Sequence, residues 1–79
     1  MKPLSELKVG EVGYAIKFIN AELALKLYEM GCIPGEFIKV EMIAPLGDPM
    51  TININGNLVS MRKKIASTVL IADRPISLN

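Results

Sequence analysis

Residues able to do chemistry are few in this chain, and they lie far apart. It contains no histidine and a single cysteine, Cys32. The imidazole and thiolate partners that make nucleophile–base pairs or tetrahedral soft-metal sites are therefore missing. Eight acidic residues could supply paired carboxylates for general acid–base work. Yet Glu22, Glu29, Glu36 and Glu41 fall at solvent-facing positions of a helix or strand pattern, and none marks a pocket. Of the five methionines, Met30, Met42, Met50 and Met61 occupy core-facing or strand positions, where a thioether is packing material rather than a metal ligand. Neither G-x-x-x-x-G-K-[ST] nor G-x-G-x-x-G occurs, so no phosphate-cradling loop is expected. No catalytic residue, cofactor or metal ligand is assigned, and the chain is not expected to be an enzyme.

What remains is the chemistry of contact. The net charge is +1 and the longest basic cluster is Arg62-Lys63-Lys64. With two tyrosines, two phenylalanines and no tryptophan to stack on bases, nucleic acid is not an expected partner. Leu46 and Asp48 lie on a Pro/Gly loop, which either presents an apolar tip as a binding hot spot or folds back on the barrel. Leu25 falls opposite the apolar stripe of a helix, and Tyr28 flanks that stripe; both either pack on the N-terminal segment or meet a partner. Arg62 precedes a short helical turn and is expected to pair with a carboxylate such as Asp48 inside the domain. Leu25, Tyr28, Leu46, Asp48 and Arg62 are thus the candidate partner-binding residues.

The elements that must carry these residues follow from periodicity. At 79 residues the chain is one domain, and such a domain buries only roughly 60% of the surface of its unfolded chain. Hydrophobic residues make up 51%, enough that some apolar surface is expected outside, where it marks contacts. Met1 to Gly10 reads as a turn that clips onto the core through Leu4 and Leu7. Val12, Tyr14, Ile16 and Phe18 alternate with Gly13, Ala15 and Lys17, the period of a strand with one face buried. Asn20 is an N-cap for a helix over 21–31 that ends at Gly31, with Leu23, Leu27 and Met30 facing the core. A second strand, Glu36 to Ile43, puts Ile38, Val40 and Met42 on one face. Ala44-Pro45-Leu46-Gly47-Asp48-Pro49 breaks it, and Met50 to Ile54 and Leu58 to Met61 form a hairpin around Asn55-Gly56. A helical turn over 62–66 and a strand from Thr68 to Ala72 follow. About five short strands and one inserted helix make a mainly β fold, a small barrel closed on itself to remove its open edges. Residues 1–73 form the domain and 74–79 a loose tail.

The lone cysteine, the absence of a signal-peptide pattern and apolar runs far below the roughly 20 residues that span a bilayer point to a cytoplasmic protein that is not inserted in a membrane.

Several of these pieces, in this order, resemble the FeoA family. They are Leu4, Leu7 and Gly10 at the start, Leu27-Tyr28-Glu29-Met30-Gly31-Cys32-Ile33-Pro34-Gly35 at the helix end, the loop Ala44 to Pro49, and Met61-Arg62-Lys63-Lys64-Ile65-Ala66 before the last strand. The Met-Gly-x-x-Pro-Gly element followed by Ala-Pro-Leu-Gly-Asp-Pro is the most specific part. The resemblance implies an SH3-like barrel that serves ferrous iron uptake by contacting the cytoplasmic part of the FeoB-type permease, and it carries a link to transition-metal ion binding without assigning ligands. Leu25 stands where family members tend to carry a basic residue. A second expectation is a generic packing module like the C-terminal SH3-like domain of metal-dependent repressors, although no helix-turn-helix pattern is found. An iron carrier would need a carboxylate cluster, which the sequence lacks. Self-association through Leu25 and Leu46 is a further use of the same surface.

Overall fold

In the computed structural model, which describes residues 1–74, every strand pairs antiparallel with its neighbours in a single sheet. The strands are β1 (Lys2–Pro3), β2 (Val12–Phe18), β3 (Phe37–Ile43), β4 (Met50–Ile54), β5 (Asn57–Met61) and β6 (Val69–Ala72). Helix α1 (Ala21–Glu29) follows β2, helix α2 (Lys63–Ala66) follows β5, and a 3-10 turn spans Leu4–Glu6. The strand order is β1-β6-β2-β3-β4-β5. The fold is mainly β, as expected. The extra strand is β1, too short to show any alternation in sequence.

The expected closure does not occur: among the described residues no ladder joins β5 to β1. β1 is two residues long and ends in Pro3, which has no amide to donate, and the chain then turns into the 3-10 segment. The interior is covered by other elements instead. Leu4 and Leu7 from the N-terminal clip, Leu27 from α1, Cys32 from the segment after α1, and Ala66 from α2 are all buried against Ile38, Val40, Met50, Ile52, Val69 and Ile71 of the sheet. The tail expected over 74–79 lies, beyond Arg74, outside the described residues.

Local chemistry sets the element ends. The Asn20 side chain accepts a hydrogen bond from the Leu23 amide at 3.0 Å, satisfying one of the donors that a helix start leaves free. At the β4–β5 turn, Asn55 and Gly56 have φ of 52° and 86°, the left-handed pair required by a two-residue type I′ hairpin.

Two strands bury a different face from the one their larger residues suggest. In β2 the buried positions are Gly13 and Ala15, while Val12 and Tyr14 face outward. A Cβ on Gly13 would run into the Ile71 side chain and come within 3.0 Å of the Ala72 carbonyl oxygen. β6 therefore lies too close for a larger residue at that point. In β3, Ile38 and Val40 are buried but Met42 is exposed, because a register shift between Val40 and Met42 inserts an extra residue and turns the strand over.

Candidate functional site

The β3–β4 loop is short, polar at its base and braced. The Gly47 amide donates to the Ala44 carbonyl at 2.7 Å and the Ala44 amide to the Pro49 carbonyl at 3.0 Å. Gly47 has φ of 89°, a backbone conformation that residues with a Cβ rarely adopt. Between these bonds Leu46 projects into solvent, 97% exposed. Leaving a leucine in water forgoes about 1.5–3 kcal/mol of burial that a partner could recover.

Asp48 ties this loop to the next element. Its Oδ1 accepts a hydrogen bond from the Lys63 main-chain amide at 2.9 Å, which satisfies a free donor in the first turn of α2. The Lys63 side chain folds back over the loop, with Nζ 3.7 Å from where a Cβ on Gly47 would stand. Arg62, the residue before α2, is exposed, and among the described residues it forms no ion pair with Asp48. The expected Arg62–Asp48 pairing is therefore replaced by a bond to the neighbouring backbone. A short helix start needs an acceptor for its amides more than an exposed guanidinium needs a screened ion pair.

Leu25 and Tyr28 form a second, separate surface on α1. Leu25 is 66% exposed. Tyr28 is half exposed and stacks edge-on against Phe18 of β2, with ring centroids 6.3 Å apart. The structure thus brings Leu46, Asp48 and Arg62 together at one end of the sheet and leaves Leu25 and Tyr28 on the helix. Other exposed apolar residues carried no signal in the sequence: Val12 and Phe37, whose ring meets Tyr14 at 5.1 Å, and Met42 and Leu58 on the outer sheet face. A strand alternation fixes a period but not which face is covered.

Reactive groups are few here too. Cys32 is buried, and that burial, helped by the negative charge of Glu36, pushes its thiol up from an ordinary 9.0 to about 11. Such a thiol is protonated and inert. A shallow groove of about 430 Å³ runs between the N-terminal segment, β2 and β6, lined by Lys2, Glu11, Val12 and Asp73 among others. Its lysine and glutamate are solvent-exposed and 3.9 Å apart. Among the described residues no group of three His, Cys, Asp or Glu side chains could hold a metal ion, and no helix is long and apolar enough to cross a membrane.

Comparison with known proteins places this geometry in a family context. The FeoA domain model matches residues 2–73. FeoA from Chlorobium tepidum is 34% identical, with a TM-score of 0.79 over 87% of this chain and 67% of that one. A FeoA-like protein from Clostridium acetobutylicum is 25% identical, with a TM-score of 0.85 over 99% and 92%. Stenotrophomonas maltophilia FeoA complexed with zinc, an SH3-domain protein, is 22% identical, with a TM-score of 0.73 over 91% of each chain. A manganese-dependent transcriptional repressor shares the fold alone, at 12% identity and a TM-score of 0.84 over 92% of this chain and 36% of that one. No curated protein matches the chain.

Proposed function

The chain belongs to the FeoA family, and from that premise we propose that it is a non-catalytic accessory protein of ferrous iron uptake that docks on the cytoplasmic part of a FeoB-type permease and regulates or scaffolds it. The observation that carries this reading is the braced loop. Leu46 stands 97% exposed on a turn held by two backbone bonds and by the Asp48–Lys63 contact. An apolar side chain presented on a fixed support loses little conformational freedom when it is covered, so most of its burial energy is available for binding. Asp48 and Arg62 flank it, while Leu25 and Tyr28 offer a second contact through α1.

A pull-down of membrane extract with the tagged chain tests the reading. The permease is recovered by the native chain and lost with Leu46→Glu, whereas recovery indifferent to that substitution removes the loop from the interface. Ferrous uptake that is unchanged after deletion of the gene rejects the pathway assignment and favours the packing-module reading. Sizing chromatography across a concentration series separates permease docking from self-association through the same leucines.

A further inference from the structure

Three consecutive cations stand beside the Leu46 loop. The ladder row Ile43–Met50–Met61 sets the β3–β4 loop and the start of α2 at the same end of the sheet. Arg62, Lys63 and Lys64 are all exposed there, and none forms an ion pair among the described residues. Two acids are near enough in the fold to matter. Asp48 has one carboxylate oxygen committed to the Lys63 amide, and Glu6 lies exposed on the 3-10 turn against which α2 packs, with no ion pair of its own. The excess at this end is positive.

We propose that Leu46 and the Arg62–Lys64 cluster form one docking surface for an acidic protein segment, an apolar seat for the leucine rimmed by carboxylates. The proposal rests on the permease reading and adds to it the chemistry of the partner's face. Charge complementarity selects this occupant. Three cations at about 1 kcal/mol each fall short of the clusters of roughly four to eight that hold a protein on anionic lipid. They fall short too of the roughly six to ten phosphate contacts typical of DNA binding. A single leucine is a small membrane anchor, whereas the exposed Arg62 beside it is of a residue type that protein-interface hot spots favour. Lys63 contributes through both ends: its amide fixes the loop and its ammonium lies over Gly47, so loop shape and charge position are coupled.

The test measures binding of the detergent-solubilised permease to the immobilised full chain at about 50 and about 500 mM NaCl, across which a surface charge contact is largely screened. The native chain is expected to lose about tenfold in affinity over that range, while Arg62→Gln/Lys63→Gln/Lys64→Gln starts about tenfold weaker and changes little with salt. These substitutions leave the Lys63 amide in place, and Lys64→Glu alone serves as a second variant should the triple one unfold. If the native chain binds and the charge variants match it in affinity and salt response, the acidic-partner inference fails while the permease reading stands. If the native chain does not bind at all, both fall. Vesicles of phosphatidylglycerol form the last arm: cosedimentation of the native chain but not of the triple variant would assign the cluster to lipid and overturn the proposal.

Discussion

The Asp48 carboxylate meets the Lys63 main-chain amide at 2.9 Å across a sequence separation of fifteen residues. One hydrogen bond thus does two jobs, closing the base of the Leu46 loop and supplying an acceptor to a helix of four residues that has no side-chain cap of its own.

Replacing Asp48 tests this link. Asp48→Ala is expected to cost about 1 kcal/mol of stability in urea unfolding, the usual worth of such a cap, whereas Asp48→Asn, which keeps an acceptor oxygen, costs less. Alanine is also expected to weaken permease recovery because the loop loses its brace. Equal stability of native and alanine proteins would show that the bond contributes nothing in solution.

The two leucines Leu46 and Leu27 should behave in opposite ways. Leu46→Glu leaves stability within about 0.5 kcal/mol, since the side chain is 97% exposed, and removes partner binding. Leu27→Ala, at a fully buried site, costs about 2–5 kcal/mol. Thermal melts and pull-downs made on the same preparations separate the two roles.

Gly13→Ala is expected to destabilise the protein by about 1–3 kcal/mol through overpacking against Ile71 and Ala72. Ile71→Ala, which removes the Cγ2 methyl that the new Cβ meets, is expected to cost less in the Gly13→Ala chain than in the native one. A Gly13→Ala protein as stable as the native one would mean that β2 and β6 can separate without cost.

Cys32 sets an alkaline limit. Its folded-state pKa of about 11 exceeds the ordinary 9.0 that it regains on unfolding. The folded state therefore holds the proton more tightly, and this contribution is intact below pH 9 and is lost as pH rises toward 11. The slope is at most about 1.4 kcal/mol per pH unit. Iodoacetamide at pH 8 should leave the native thiol unmodified and label it rapidly in urea; labelling at equal rates would contradict its burial.

Residues whose structure depends on near neighbours were readable in the sequence. Asn20 caps α1 as its side chain implied, and Asn55-Gly56 makes the tight turn, because each needs only backbone two or three residues away. Tertiary packing decided the rest. The covered face of β2 is set by how close β6 approaches Gly13, and the reversal at Met42 by an inserted residue in the β3–β4 ladder. The openness of the sheet depends on a two-residue strand that carries no pattern. In the candidate site, turn residues and helical period placed Leu46 on a loop and Leu25 off the core stripe, but only the fold shows that neither packs back on the domain. The partner of Asp48 was not legible either, since an exposed guanidinium and a helix-start amide compete for it on terms that only the fold reveals.

Pairing of β1 with β6, Lys2 opposite Ile71 and Pro3 opposite Leu70, has a consequence for engineering. β1 and β6 run side by side about 5 Å apart, so a short linker could join residue 2 to residue 72 without distorting either strand. New termini could then be opened at the Asn55-Gly56 turn, giving a circular permutant with the same ladder. The same adjacency suits the module to being spliced into a surface loop of a larger host, which would need to bring only two neighbouring attachment points.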